Sequence, residues 1–159
     1  MYRVFLTHNA SPDEMVIIWR LQTLAAASGL HLDVPNPTQR QNASLTSQLI
    51  DSSDAVIALI THSSLNSPWV VSELNYAIAK KRTIIPIFLK GVVSEPIRSI
   101  TSQYGSPVFI LDPAKPGEME SALSKYLLKK VEDKNTRNAL LALAGTFAGL
   151  FLLSQLSEN

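Results

Sequence analysis

The seven residues from Ala55 to Thr61 read AVIALIT, six apolar side chains in a row with no alternation. A strand with one wet face alternates apolar and polar residues, whereas an unbroken apolar run this short is buried on both faces. TIIPIFL at 83–89 repeats the pattern. YRVFLT (2–7), LHLDV (30–34) and SPVFIL (106–111) complete five strand candidates. Strands buried on both faces need a layer of helices above and below them.

The segments between the strands supply those helices. In SPDEMVIIWRLQTLAAASG, Ser11 and Glu14 have capping-box spacing, Ile17, Leu21 and Leu24 recur at helical period, and Gly29 marks the end. PNPTQRQNA (35–43) reads as a loop, because two prolines oppose continuation of regular structure. SLTSQLIDSS is a short helix. SPWVVSELNYA (67–77) opens another, with Ser67 as cap and Pro68 in the first turn, and it runs to about Lys81. PGEMESALSKYLLKKVEDK closes the series. The alternation predicts an α/β fold: a flavodoxin-like five-stranded parallel sheet with helices on both faces. Ligands of such sheets bind beyond the carboxyl ends of the strands. Here those ends are Thr7-His8-Asn9, the 34–43 loop and Thr61-His62-Ser63.

Much chemistry is excluded by what the chain lacks. It has 159 residues, 46% of them apolar, and a net charge of +1, so it can build one real core and makes no case for a nucleic-acid partner. There is no cysteine, which removes disulfides, thiolate metal sites and thiol nucleophiles. The six glycines form neither a GxGxxG fingerprint nor a GxxxxGK[ST] loop. His8, His31 and His62 fall on separate segments without paired spacing, so no metal site is expected. The chain starts straight into YRVFLT, so no secretory leader is expected and a cytoplasmic location is. Catalysis, if there is any, falls to a carboxylate.

Trp69 and Glu73 lie four apart on one helical face. They read either as a packed aromatic beside a surface charge, the reading the pattern alone favours, or as a ring and a carboxylate set around a ligand. The surrounding residues bear on the choice. VFLTHNASPDE (4–14), the Asp33 strand end followed by a loop and SL (44–45), SDAVIALIT (53–61), WVVSEL (69–74) and IIPIFL (84–89) occur in an order that resembles bacterial TIR (Toll/interleukin-1 receptor) domains. The resemblance covers roughly residues 1 to 130.

It implies a TIR fold and an NAD⁺ nucleosidase or cyclase, which breaks the nicotinamide–ribose bond to give ADP-ribose or a cyclic isomer, in bacterial defence or stress signalling. NAD⁺ is then a substrate, and no resident cofactor is expected. The family's catalytic glutamate lies in a W-x-x-x-E motif, which Trp69-Val70-Val71-Ser72-Glu73 matches, so Glu73 is the implied catalytic residue. Thr7, His8 and Asn9 correspond to the first ligand-lining loop, and the loop after Asp33 to a mobile second one. With Trp69 they make up the implied substrate-binding set, although Trp69 also reads as core, His8 as a polar rim residue and Asp33 as an anchor for its turn. The second loop departs from the family: Asn42-Ala43 stand where a glycine commonly precedes SL, and the loop is about two residues longer. The family also self-associates, so a non-catalytic TIR adaptor is one alternative. A flavodoxin-like nucleoside-processing enzyme is another.

The resemblance implies a TIR domain over 1–133, followed by a tail over 134–159. From Asn138 to Leu156 the tail has no charged residue. As a helix, its fifteen-residue apolar core at 139–153 would span about 22 Å, short of the ~30 Å hydrocarbon layer. Gly145 and Gly149 permit close helix approach, and Lys129, Lys130, Lys134 and Arg137 precede the segment. It reads as a tail anchor on the cytoplasmic membrane face or as an oligomerisation helix.

Overall fold

A computed structural model describes residues 1–130, except 28–29, 65–66, 93–94, 103–106 and 116. The expected apolar C-terminal helix lies outside the described residues, and among these no helix is long and apolar enough to cross a membrane.

Five strands form one all-parallel sheet: β1 (Arg3–His8), β2 (His31–Asp33), β3 (Ala55–Ile60), β4 (Thr83–Leu89) and β5 (Phe109–Leu111). Their spatial order is β2-β1-β3-β4-β5, the flavodoxin-like order. All six residues of β3 are buried, as its unbroken apolar run requires. Pro86 is tolerated in β4 because β5 pairs only from Ile87 onward, so one side of β4 has no ladder to break there.

Strand alternation sorts the core into two layers. Val4, Leu6, Ile57, Leu59, Ile85 and Ile87 pack with Ile18 and Leu21 of α1 (Met15–Ala27) and with Met119 and Leu123 of α6 (Glu118–Lys130). Phe5, Val56, Ala58, Ile60, Ile84 and Phe88 face the other way. They meet Ile50 of α3 (Ala43–Asp51), Val70 and Leu74 of α4 (Pro68–Ala79), and Ile97 of α5 (Glu95–Ser102).

Two helices were not foreseen. The sequence suggests no helix between β4 and β5, where α5 lies. The 35–43 segment, expected to be loop throughout, contains α2 (Pro37–Arg40). The prolines that argue against regular structure start this helix: Pro37 sits in its first turn, and Asn36 caps it by accepting from the Gln39 N–H at 2.8 Å. The Gln39 side chain returns a bond, accepting from the Asn36 N–H at 2.9 Å. The helix expected from Ser11 opens as a 3₁₀ turn (Pro12–Glu14) before α1 begins.

Candidate functional site

The carboxyl end of β1 sends two side chains in opposite directions, because successive residues of a strand point to opposite faces. Thr7 points to the α4 layer and His8 to the α1 layer. α4 starts just beyond β3: the Ser67 hydroxyl accepts from the Val70 N–H at 3.4 Å, and Pro68 occupies the first turn. This start places Glu73, one turn after Trp69, against the rim beside Thr7.

Glu73 is only 7% exposed. Its carboxylate faces the Arg40 guanidinium, with Nε 3.3 Å from Oε1 and Nη2 3.4 Å from Oε2. The same Nη2 lies 3.5 Å from the Thr7 hydroxyl. Burial pushes the Glu73 carboxyl above its ordinary range, while Arg40 and the Thr7 hydroxyl pull it back. Burial likewise lowers Arg40, opposed by Glu73. Such a pair is held together by geometry more than by net energy, since each charge is costly to bury alone.

Trp69 is not core. It is 40% exposed, and the Arg40 guanidinium lies 5.8 Å from the centre of its ring. A cavity of about 270 Å³ opens beside Glu73, with Thr46 and Ser47 of α3, Ser72 and Tyr76 among its walls. Arg40 and Trp69 also line a second cleft on the α1 side.

The remaining candidates fall at different distances from this centre. His8 and Asn9 line the α1-side cleft. The His8 ring is pushed down to about 4 by burial, with the Arg40 charge adding to the effect, so it is neutral at pH 7. Its Nδ1 accepts from the Ala10 N–H at 3.1 Å. Asn9 donates to the Ser63 carbonyl at 2.7 Å. Asp33 lines neither cavity; its carboxylate is held by Arg3 at 3.0 Å and His31 at 2.9 Å. Glu14 ties the loops together: it accepts from Ser11 N–H at 2.9 Å, from the Thr61 hydroxyl at 2.8 Å and from His62 N–H at 3.2 Å. Burial works against its charge, but bonds from the Ser11 N–H and hydroxyl and from the Thr61 and Ser63 hydroxyls hold its carboxyl down at about 2. Among the described residues no cluster of three or more His, Cys, Asp or Glu is arranged to hold a metal ion.

Arg40 is the member that sequence reading missed. The signal for its helix was present in Asn36-Pro37-Thr38-Gln39, a capping box with proline at the first helical position. Nothing local announced that its guanidinium meets a carboxylate thirty-three residues away.

Comparisons with known proteins agree with this architecture. No curated protein matches the sequence. The solved structure of the Clostridium botulinum CMP N-glycosidase BcmB is similar in fold, with a TM-score of 0.54, 22% identity, and coverage of 78% of this chain and 97% of that one. The TIR domains of the activated Roq1 resistosome, which recognises the pathogen effector XopQ, align with a TM-score of 0.48 and 16% identity over 93% of this chain and 84% of that one. The sequence model of the TIR domain matches residues 4–112, from the first strand through the fifth. The chain belongs to the TIR domain family.

Proposed function

We propose that the chain is an N-glycosidase that cleaves the nicotinamide–ribose bond of NAD⁺, with Glu73 as the catalytic carboxylate. The observation that carries this reading is the placement of Glu73: buried, at the carboxyl edge of the sheet, and opening onto a cavity walled by an indole. As the bond breaks, its electron pair leaves with the nicotinamide nitrogen, which becomes neutral. Positive charge builds on the ribose. A fixed carboxylate in a site of low dielectric favours that charge as it develops. Water then adds to the anomeric carbon and loses a proton, giving ADP-ribose; capture by a group of the same molecule would give a cyclic isomer. The same demand is met by carboxylates in glycosidases. Trp69 offers a flat wall to the base, and Thr7 orients the carboxylate. Self-association through TIR surfaces, defence signalling, and a tail that anchors or oligomerises the chain belong to the same proposal.

A second reading has one observation in its favour. The Clostridium botulinum protein of similar fold acts on CMP, a nucleoside monophosphate. In that reading the same carboxylate cleaves a nucleotide shorter than NAD⁺.

One experiment separates them. The full chain, at high concentration, is incubated with NAD⁺ and in parallel with CMP, and the released base is measured with Glu73→Gln alongside. Nicotinamide release lost in a variant that remains folded under the assay conditions supports the proposal. Cytosine release without nicotinamide release moves the assignment to the second reading, and activity that survives Glu73→Gln removes Glu73 from the chemistry.

A further inference from the structure

The Glu73 cavity, at about 270 Å³, falls just below the roughly 300–1,000 Å³ of ordinary small-molecule sites. The cleft on its other side measures about 580 Å³. The two share two walls, Arg40 and Trp69. One long wall of the larger cleft is a face of α1, formed by Met15, Ile18, Trp19 and Gln22. Their spacing of three, one and three places them along one stripe of the helix. Ile18 belongs to the core, but Trp19 does not: it is 59% exposed. An indole left uncovered at the edge of a cleft is a flat surface free to take a planar ligand.

The shared wall is charged. The Arg40 side chain is only 4% exposed, and its Nε lies near Glu73 without making a well-formed hydrogen bond. Its positive charge borders both cavities, where it attracts an anionic phosphate. NAD⁺ carries a cationic nicotinamide ring on one nucleoside and an anionic pyrophosphate next to it. The site carries a carboxylate and a guanidinium side by side, which is the complementary pair. CMP would supply the anion without the cation and leave the α1-side cleft unused.

We propose that the α1-side cleft is the subsite for the second nucleoside of a dinucleotide substrate, with the base stacked on Trp19 and the phosphates contacted by Arg40 at the junction. This rests on the reading of Glu73 as the N-glycosidic carboxylate and adds to it the place of the second nucleoside and the residue that holds its base.

The test is calorimetric titration of the full chain with AMP, which is the distal half of NAD⁺, and with nicotinamide mononucleotide, the proximal half. Truncating a stacking aromatic weakens binding of a base by about 5- to 150-fold. Trp19→Ala is therefore expected to weaken AMP by at least about fivefold, Trp19→Phe to recover most of the loss, and neither to alter nicotinamide mononucleotide binding. Trp19 is exposed, so the substitutions leave the core intact. No AMP binding by the parent, AMP binding indifferent to Trp19→Ala, or an equal loss for both halves overturns the subsite. Nicotinamide release is measured separately, so a chain that binds AMP through Trp19 without cleaving NAD⁺ would sink the Glu73 reading and leave the subsite standing.

Discussion

Arg40 of α2 lies on Glu73 of α4, with two nitrogens within 3.4 Å of the two carboxylate oxygens. The helix that carries Arg40 is one turn long, and the pair it makes is almost fully buried. Removing either partner leaves the other as an unpaired buried charge, which costs about 3–5 kcal/mol in comparable pairs. Arg40→Met and Glu73→Gln are each expected to lower the unfolding midpoint in denaturant. The double variant should regain part of the loss, with a coupling of about 1–3 kcal/mol. Strictly additive losses in urea titrations would show that the two side chains do not interact in solution.

The position of Arg40 depends on a cap. Asn36 holds the first turn of α2, and Gln39 returns the bond. Asn36→Ala is expected to cost about 1 kcal/mol and Asn36→Ser much less. Because α2 delivers Arg40 to the site, the alanine variant should also raise the KM for nucleotide substrate while leaving the rate at saturation near that of the parent. A fall in kcat with unchanged KM would count against a delivery role for α2.

What sequence could and could not show follows from how local each cause is. β3 and β4 are legible because a parallel strand buried on both faces reads as an unbroken apolar run, and their observed bounds lie within a residue of the expected ones. α4 is legible from its cap and its proline; the choice of Glu73 comes from the family's W-x-x-x-E motif, since its spacing to Trp69 gives only a shared face. The Glu73–Arg40 pair is not, because it joins elements thirty-three residues apart. α2 was hidden by a conflict between two local rules: proline as a breaker and proline as a helix starter. α5 is mostly polar, and of its apolar residues Ile97 is buried in the core. Asp33 belongs to the substrate-binding set that the resemblance implies, and it also reads as an anchor for its turn; in the structure Arg3 and His31 hold its carboxylate.

His8 and Glu14 give the chain a defined acid response. The His8 ring is held down at about 4 against an ordinary value of 6.5. The unfolded chain therefore binds a proton there at higher pH than the folded one. Stability from this residue is present above pH 6.5 and falls away as pH drops from 6.5 to 4. Glu14, held at about 2, adds a second loss between pH 4.5 and 2. Glu73, raised by burial, acts in the opposite direction. A His8→Asn variant isolates the first contribution: its thermal midpoint should be flatter than the parent's between pH 6.5 and 4. Parallel curves across that window would place His8 in water.

The end of α4 holds a residue at odds with its backbone. Lys81 has φ of 56°, in the left-handed region. It follows the last turn of the helix, where its N–H donates to the Ile78 carbonyl and the Arg82 N–H donates to the Ala77 carbonyl, each at 2.9 Å. Glycine is the usual residue at such a position because it has no β-carbon to meet the backbone. A side chain there costs on the order of 1 kcal/mol. The Lys81 side chain is exposed, makes no ion pair among the described residues, and lines neither cavity. Lys81→Gly is therefore expected to stabilise the fold by about 0.5–1 kcal/mol and to leave nucleotide cleavage unchanged. Unchanged or lower stability in urea titrations would mean that this turn relaxes in solution to a conformation a lysine adopts freely.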